Sequence, residues 1–377
     1  MDIHAASPLL GGLTPRVFMR RHWQKTPLLV RQAVPGGLAL IGRAQLFALA
    51  AQPQVESRLI VQDAQGWRLR SGPMPRRALP PLTRPRWTLL VQGLDLHLLA
   101  ARALLEQFRF VPDARLDDVM LSFATDGGGV GPHVDSYDVF LLQVHGARRW
   151  RISRPRREEL VPDVPLKILS NFEPEQEWVL QSGDLLYLPP GWAHDGDARG
   201  ECMTCSVGFR SPGRVEVGRD VLQRVVDAAA DEPAGPLYRD PGQAATDAPG
   251  RIPVRLQDYA RRAVAQLVQD PQALSCALGE VLSEPKRGVW FDPSREPEPL
   301  DGLACCLDPR TRMMYDEHHV FINGESFRAA GRDAVLMHQL ADRRELGAQD
   351  VRRLSPAARR LMQEWLDAGW LCGQSAG

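Results

Sequence analysis

Seven short runs of β-branched and aromatic residues crowd the first 210 positions: Arg58–Gln62, Trp87–Val91, Val119–Phe123, Val139–Val144, Trp178–Leu180, Leu185–Leu188 and Cys202–Phe209. Clusters of Gly, Pro and Asp separate them. Runs this short and this often interrupted predict strands that share a buried face, as in a barrel or sandwich. Two helical segments, Ala44–Ala51 and Leu98–Phe108, are set among them. After Ser211-Pro212-Gly213 the period changes. Val217, Val221, Val225 and Ala229 recur at helical spacing, as do Leu256, Ala260, Ala263, Val264, Leu267 and Val268, and a third helix is expected over Ala273–Leu282. Pro-rich stretches, 231–253 and 284–301, follow the first and third helices. Beyond them, His319–Arg328 reads as a hairpin turning at Asn323-Gly324. Helices are expected at Ala334–Ala341, Ala348–Leu354 and Pro356–Ala368, the last with Ser355 as N-cap.

The expected organisation is therefore a strand-rich domain over 1–212, a helical module over 213–300 and a small winged-helix-like domain over 301–377. Three helices and long loops make a thin module. Such a module often completes its core with a second subunit, so a homodimer is expected there; the alternative is packing on the barrel. Mixed Arg, Glu and Asp on the last helices lack the basic face of a DNA reader and favour a structural or docking role.

Charge narrows the function classes. Lys+Arg and Asp+Glu both number 46, so bulk binding to nucleic acid or an anionic membrane is not the main task. A local patch stays open, since Arg68, Arg70, Arg76, Arg77, Arg84 and Arg86 fall in a stretch without an acid. No run approaches a membrane span, and the N-terminus lacks a basic start followed by an apolar core. Six cysteines in so long a chain are not a disulfide framework, so a reducing, cytoplasmic setting is expected.

The chemistry concentrates in two runs. In Gly127-Gly-Gly-Val-Gly-Pro-His133-Val-Asp135, the imidazole and the carboxylate are two residues apart, which in a strand puts both on one face. Together they make two-thirds of a facial triad for iron. In Gly183-Asp-Leu-Leu-Tyr-Leu-Pro189-Pro-Gly191-Trp-Ala-His194, a strand and a rigid turn deliver a second histidine 61 residues after the first. The bland alternative is a His133 that merely bonds a nearby carboxylate. After a turn at His145-Gly146-Ala147, alternation puts Arg148, Trp150 and Ile152 on one face and Arg149 and Arg151 on the other. Trp150 and Ile152 are the natural inward set, so Arg148 points inward and needs an anion: the far carboxylate of 2-oxoglutarate, or an internal acid such as Asp184. Cys202-Met-Thr-Cys205 lies in an expected strand, which splits the two thiols between opposite faces and argues against a metal or redox site.

The two runs resemble the paired motifs of the cupin superfamily. Where the general pattern has a second histidine and an acid, this chain has Asp135 and Val139. With Arg148-Arg-Trp-Arg, the segment His22–Arg31 and the closing Ser206-Val-Gly-Phe-Arg210, the resemblance narrows to the JmjC-type ribosomal oxygenases. It is strong over about residues 15–212 and rests beyond that on domain order. It implies a fold of mainly β plus α class: a double-stranded β-helix, then a helical dimerisation module and a winged helix. It implies Fe(II) on His133, Asp135 and His194, 2-oxoglutarate anchored by Arg148, and dioxygen as oxidant. It also implies a ribosomal protein as substrate, hydroxylated at an arginyl or a histidyl residue, with arginine favoured. The family often has a serine where Ala124 stands, so Ser122 and Thr125 are the candidates for a second cosubstrate contact. An arginyl substrate calls for acids and aromatics at the mouth, which makes Asp126, Tyr137, Asp138, Asp195 and Asp197 candidates for binding it. The rival readings are a non-catalytic metal-binding cupin joined to a winged-helix DNA regulator, and a small-molecule oxygenase of the same chemistry.

Overall fold

The computed structural model describes residues 2–229, 235–286, 288–293, 299–300 and 303–374. Parts of both Pro-rich stretches and of the C-terminus therefore lie outside the described residues. Two compact units are present, Met1–Ser211 and Pro212–Gly377.

The first unit is built on one ten-stranded sheet. Its strands are β1 (Leu28–Val30), β2 (Ser57–Asp63), β3 (Gly66–Ser71), β4 (Trp87–Val91), β5 (Leu116–Ala124), β6 (His133–Val134), β7 (Val139–Ser153), β8 (Gln176–Gln181), β9 (Leu185–Leu188) and β10 (Ala193–Phe209). Its order is β1-β9-β7-β10-β5-β4-β2-β3, with β6 on β10 and β8 on β7. The long strands β7 and β10 run antiparallel and serve both walls of a double-stranded β-helix. Residues 139–142 of β7 pair with β9, and residues 202–209 of β10 pair with β5. Their other halves, 147–152 and 193–194, pair with β8 and β6.

The expected turn at His145–Ala147 is absent. These residues belong to the continuous strand β7, and the register with β10 shifts beside them. Gly146 has φ +64°, and a Cβ there would lie 2.3 Å from the Glu201 carbonyl, so glycine lets two bent strands stay paired. Helices α1 (Pro15–Arg21), α2 (Arg43–Ala50) and α3 (Leu99–Glu106) cover the outer face of the sheet. There Phe18, Phe47 and Leu104 pack with Phe123, Phe140 and Tyr187. A smaller inner cluster holds Val139, Leu141, Trp150, Ile152, Leu180, Leu186 and Leu188.

The second unit begins with α4 (Arg214–Ala229), α5 (Val254–Leu267) and α6 (Pro271–Ser283). Val225 is the buried residue of α4, and α5 buries none. By contrast α6 packs closely on the following hairpin, with a Cβ on Gly279 falling 2.4 Å from the Phe321 ring. Two three-stranded sheets follow, formed by β11 (Ala304–Leu307), β12 (Met313–Tyr315), β13 (His319–Ile322), β14 (Glu325–Arg328), β15 (Glu345–Leu346) and β16 (Leu371–Gln374). Helices α7 (Gly331–Arg343), α8 (Ala348–Arg353) and α9 (Pro356–Asp367) complete the core around Leu340, Met362 and Trp365. Positive φ at Asn323 and Gly324 makes the expected tight turn, and the Ser355 hydroxyl accepts from the Ala358 N–H at 3.2 Å. Among the described residues, no helix is long and apolar enough to cross a membrane.

Candidate metal and cosubstrate site

His133 on β6 lies directly across from His194 on β10, and His194 in turn lies across from Ile152 on β7. The two imidazoles are therefore cross-strand neighbours, with ring centroids 4.2 Å apart. Asp135 follows the end of β6, and its carbonyl accepts the Gly191 N–H at 3.0 Å, so the Pro-Pro-Gly turn pins the third side chain. Potential ligand atoms of His133, Asp135 and His194 lie within 4.8 Å of one another. Asp135 is 3.9 Å from Nε2 of His133 and 3.6 Å from Nε2 of His194. No other group of three or more such residues forms among the described residues.

The ring tautomers suit a metal. Nδ1 of His133 lies 2.7 Å from the Gly131 carbonyl, and Nδ1 of His194 lies 3.1 Å from the Trp192 carbonyl. If Nδ1–H donates to each carbonyl, both Nε2 lone pairs are free for a shared ion. Burial, and the neighbouring His133, push His194 down to about 4, so its imidazole is neutral near pH 7, as a ligand must be. His194 is buried, whereas His133 and Asp135 keep about a fifth of their side chains in contact with solvent. The set is therefore open on one side.

Arg148 is buried, at 3% exposure, on the inner face. Its Nη1 reaches the Ser122 hydroxyl at 3.4 Å, while Nε and Nη2 have no partner. The internal acid considered for it is already engaged: Asp184 accepts from Arg31 at 2.7 Å and from the backbone of Gln32 and Gln181. Trp150 lies between the arginine and the triad, its ring centroid 5.7 Å from the guanidinium carbon and 5.9 Å from the His194 ring. Its buried indole N–H also lacks a partner. A buried, uncompensated cation beside further unused donors fits an anionic ligand reaching from the metal set to Arg148.

The acids expected at the mouth divide. Tyr137 is 39% exposed; desolvation of its hydroxyl first and the neighbouring Asp135 charge second push the phenol far above its ordinary range. Asp138 is a correction to the sequence reading: it is fully buried in the outer core, not at the mouth. It accepts from Tyr187 at 2.6 Å and Gln24 at 3.0 Å, with Arg115 at 3.5 Å. Asp126 is exposed, and its carboxylate accepts the Gly200 N–H at the bulge at 2.8 Å. Asp195 and Asp197 face away from the triad and pair with Arg151 and Arg149 across the strands. Burial raises Asp195 despite Arg151. Sequence reasoning missed Asp118, a buried acid on the same face of β5 as Ser122, whose charge acts on Tyr137. Cys202 and Cys205 are both buried in separate clusters. Within the arginine-rich stretch, Arg68 and Arg84 both pair with Asp63.

A β-helix carrying a two-His, one-Asp set defines a JmjC-type metal-binding domain, and residues 103–217 match the JmjC domain family. Residues 266–372 match the ROXA-like winged helix, a span that takes in α6. The ribosomal protein uL16 3-hydroxylase of Escherichia coli is 31% identical over 327 residues, covering 84% of this chain and 86% of that protein. A probable ribosomal oxygenase of Haemophilus influenzae is 29% identical, covering 83% and 77%. The structure of YcfD, a ribosomal oxygenase from Escherichia coli, in complex with cobalt and 2-oxoglutarate superposes with a TM-score of 0.80 at 29% identity, over 96% of this chain and 99% of that one. The chain belongs to the JmjC-type ribosomal oxygenases.

Proposed function

We propose that this protein is a 2-oxoglutarate- and Fe(II)-dependent hydroxylase of an arginyl residue in a large-subunit ribosomal protein. The observation that carries the reading is the alignment, in one barrel, of a three-ligand set with a buried arginine whose Nε and Nη2 lack protein partners. When bound, iron and 2-oxoglutarate let dioxygen oxidise the keto acid to succinate and carbon dioxide and hydroxylate a substrate carbon. His133, Asp135 and His194 would hold the metal, and their solvent-facing side would admit small ligands. Arg148 takes the far carboxylate, and Trp150 walls the path and excludes water. Tyr137 stands beside Asp135 and offers its exposed ring to a guanidinium, with the Asp118 carboxylate nearby.

The uL16 hydroxylase relative supports a ribosomal substrate of that kind. A histidyl target is the second reading, since a relative in Drosophila persimilis is described as a histidyl-hydroxylase. Action on a ribosomal protein supports a cytoplasmic setting. A homodimer through 213–300 accounts for apolar side chains left exposed on α4 and α5, among them Val215, Val226, Val254 and Val264.

Anaerobic titration with iron and 2-oxoglutarate, then aerobic turnover on purified large-subunit ribosomal proteins, tests the proposal. Succinate should form together with one added oxygen on an arginine, and His133→Ala should abolish both. Equal iron binding and turnover by that variant would sink the reading. Oxygen added to a histidine would overturn the arginine assignment alone.

A further inference from the structure

The one pair of facing thiols in the described register lies far along the chain from the metal set. In the second unit, β16 pairs antiparallel with β11, and Cys372 is directly opposite Cys306. Cys305 and Leu371, on the other face of these strands, are buried in the core. Cys306 and Cys372 therefore share the outward face, where Cys306 is half-buried and Cys372 is exposed. The ladder is intact one rung further on, where the Asp308 N–H donates to the Trp370 carbonyl at 2.9 Å. Opposed residues of an antiparallel pair have Cα atoms about 4.5–5.5 Å apart, inside the roughly 4.4–6.8 Å that a disulfide spans.

We propose that Cys306 and Cys372 form a reversible redox site that closes to a disulfide by exchange with a low-molecular-weight disulfide. Cys372, the more accessible thiol, loses its proton to solvent and attacks one sulfur of the small disulfide. One small thiol leaves and a mixed disulfide remains on Cys372. Cys306 then loses its proton and attacks the Cys372 sulfur, forming the protein disulfide and expelling the second small thiol. Two protein thiols are oxidised and one small disulfide is reduced to two thiols. Partial desolvation, and then the neighbouring Cys306, push the Cys372 thiol up, which slows its attack on a disulfide at neutral pH. Closure ties the last strand to a strand 66 residues earlier. A loop that long restricts the unfolded chain strongly, so the oxidised unit should melt several degrees higher, on the order expected for a domain of this size. Cys202, Cys205 and Cys305 are buried and do not compete.

The test uses the full-length protein, equilibrated with mixtures of glutathione and its disulfide, quenched in acid, alkylated with N-ethylmaleimide and digested without reductant. Mass spectrometry should find a linked peptide joining Cys306 to Cys372 that grows with the disulfide fraction and disappears with dithiothreitol. In Cys306→Ser, Cys372 should stop at the mixed disulfide with glutathione. The proposal is overturned if, in the wild type at the most oxidising ratio, both cysteines are recovered alkylated. It is equally overturned if Cys372 is found only as a glutathione adduct or as a link between two chains.

Discussion

Replacing Arg148 by Met removes a buried charge while keeping an unbranched side chain. In the ligand-free fold that change costs little. The guanidinium has one long bond to Ser122, its Nε and Nη2 have no partner, and no carboxylate pairs with it among the described residues. Apolar replacements of buried ionic groups are often neutral, or stabilising by about 1–4 kcal/mol. Binding moves the opposite way. Hydrogen bonds to charged groups contribute about 1.5–3 kcal/mol each, and two free donors are available, so losing both costs roughly 3–6 kcal/mol. At about 1.4 kcal/mol per tenfold, the Kd for 2-oxoglutarate should rise by about two to four powers of ten. Anaerobic calorimetry on the metal-loaded protein reads the affinity, and urea unfolding of the metal-free protein reads the stability. A Kd within about threefold of wild type would refute the anchor. A stability loss above about 2 kcal/mol would refute it differently, by showing that the arginine serves an internal partner.

Three further outcomes test the neighbourhood of the site. His194 is held at about 4 against an unfolded value near 6.5, so below 6.5 the unfolded chain takes up a proton that the folded chain refuses. Stability of the metal-free protein should therefore be complete above that pH and decline by about 3 kcal/mol as pH falls toward 4, a decline His194→Gln lacks in urea titrations; parallel profiles would reject the neutral buried imidazole. Asp138→Asn should lower stability by about 2–4 kcal/mol yet leave 2-oxoglutarate affinity intact, and the reverse pattern would return Asp138 to the mouth. In Gly196→Ala the new Cβ meets the Trp150 ring at 2.7 Å, so stability should drop by about 1–3 kcal/mol and 2-oxoglutarate binding should weaken; a variant matching wild type in both assays would show that the ring is not seated there.

The parts of the site that strand alternation controls were legible in the sequence. His133 and Asp135, and Arg148, Trp150 and Ile152, needed only a period of two and a decision about which face is apolar. The strands Trp87–Val91 and Leu185–Leu188 have the predicted bounds, because Gly, Pro and Asp end them locally. The bulge at Gly146 was not legible. A glycine with positive φ reads as a turn unless its partner strand is known, and here the partner residues Arg199 and Met203 lie more than fifty positions away.

The misplaced acids show a different limit. The chain leaves β6 after Val134 and re-enters a sheet at Val139, which faces the inner cluster while Phe140 joins the outer core, and Asp138 bonds there to Tyr187. Alternation from His194 sends Asp195 and Asp197 outward. Proximity in sequence to a ligand thus says little about proximity in space, since the next residue along a strand faces the opposite way. Arg148 marks what alternation cannot decide. That it points inward follows from Trp150 and Ile152, but its lack of a counterion does not, and the acid the sequence offered, Asp184, pairs instead with Arg31, the residue after β1. The sequence therefore identified a buried cation, and the partners of its guanidinium, a single serine hydroxyl with Nε and Nη2 unmatched, are what turn that cation into a binding site.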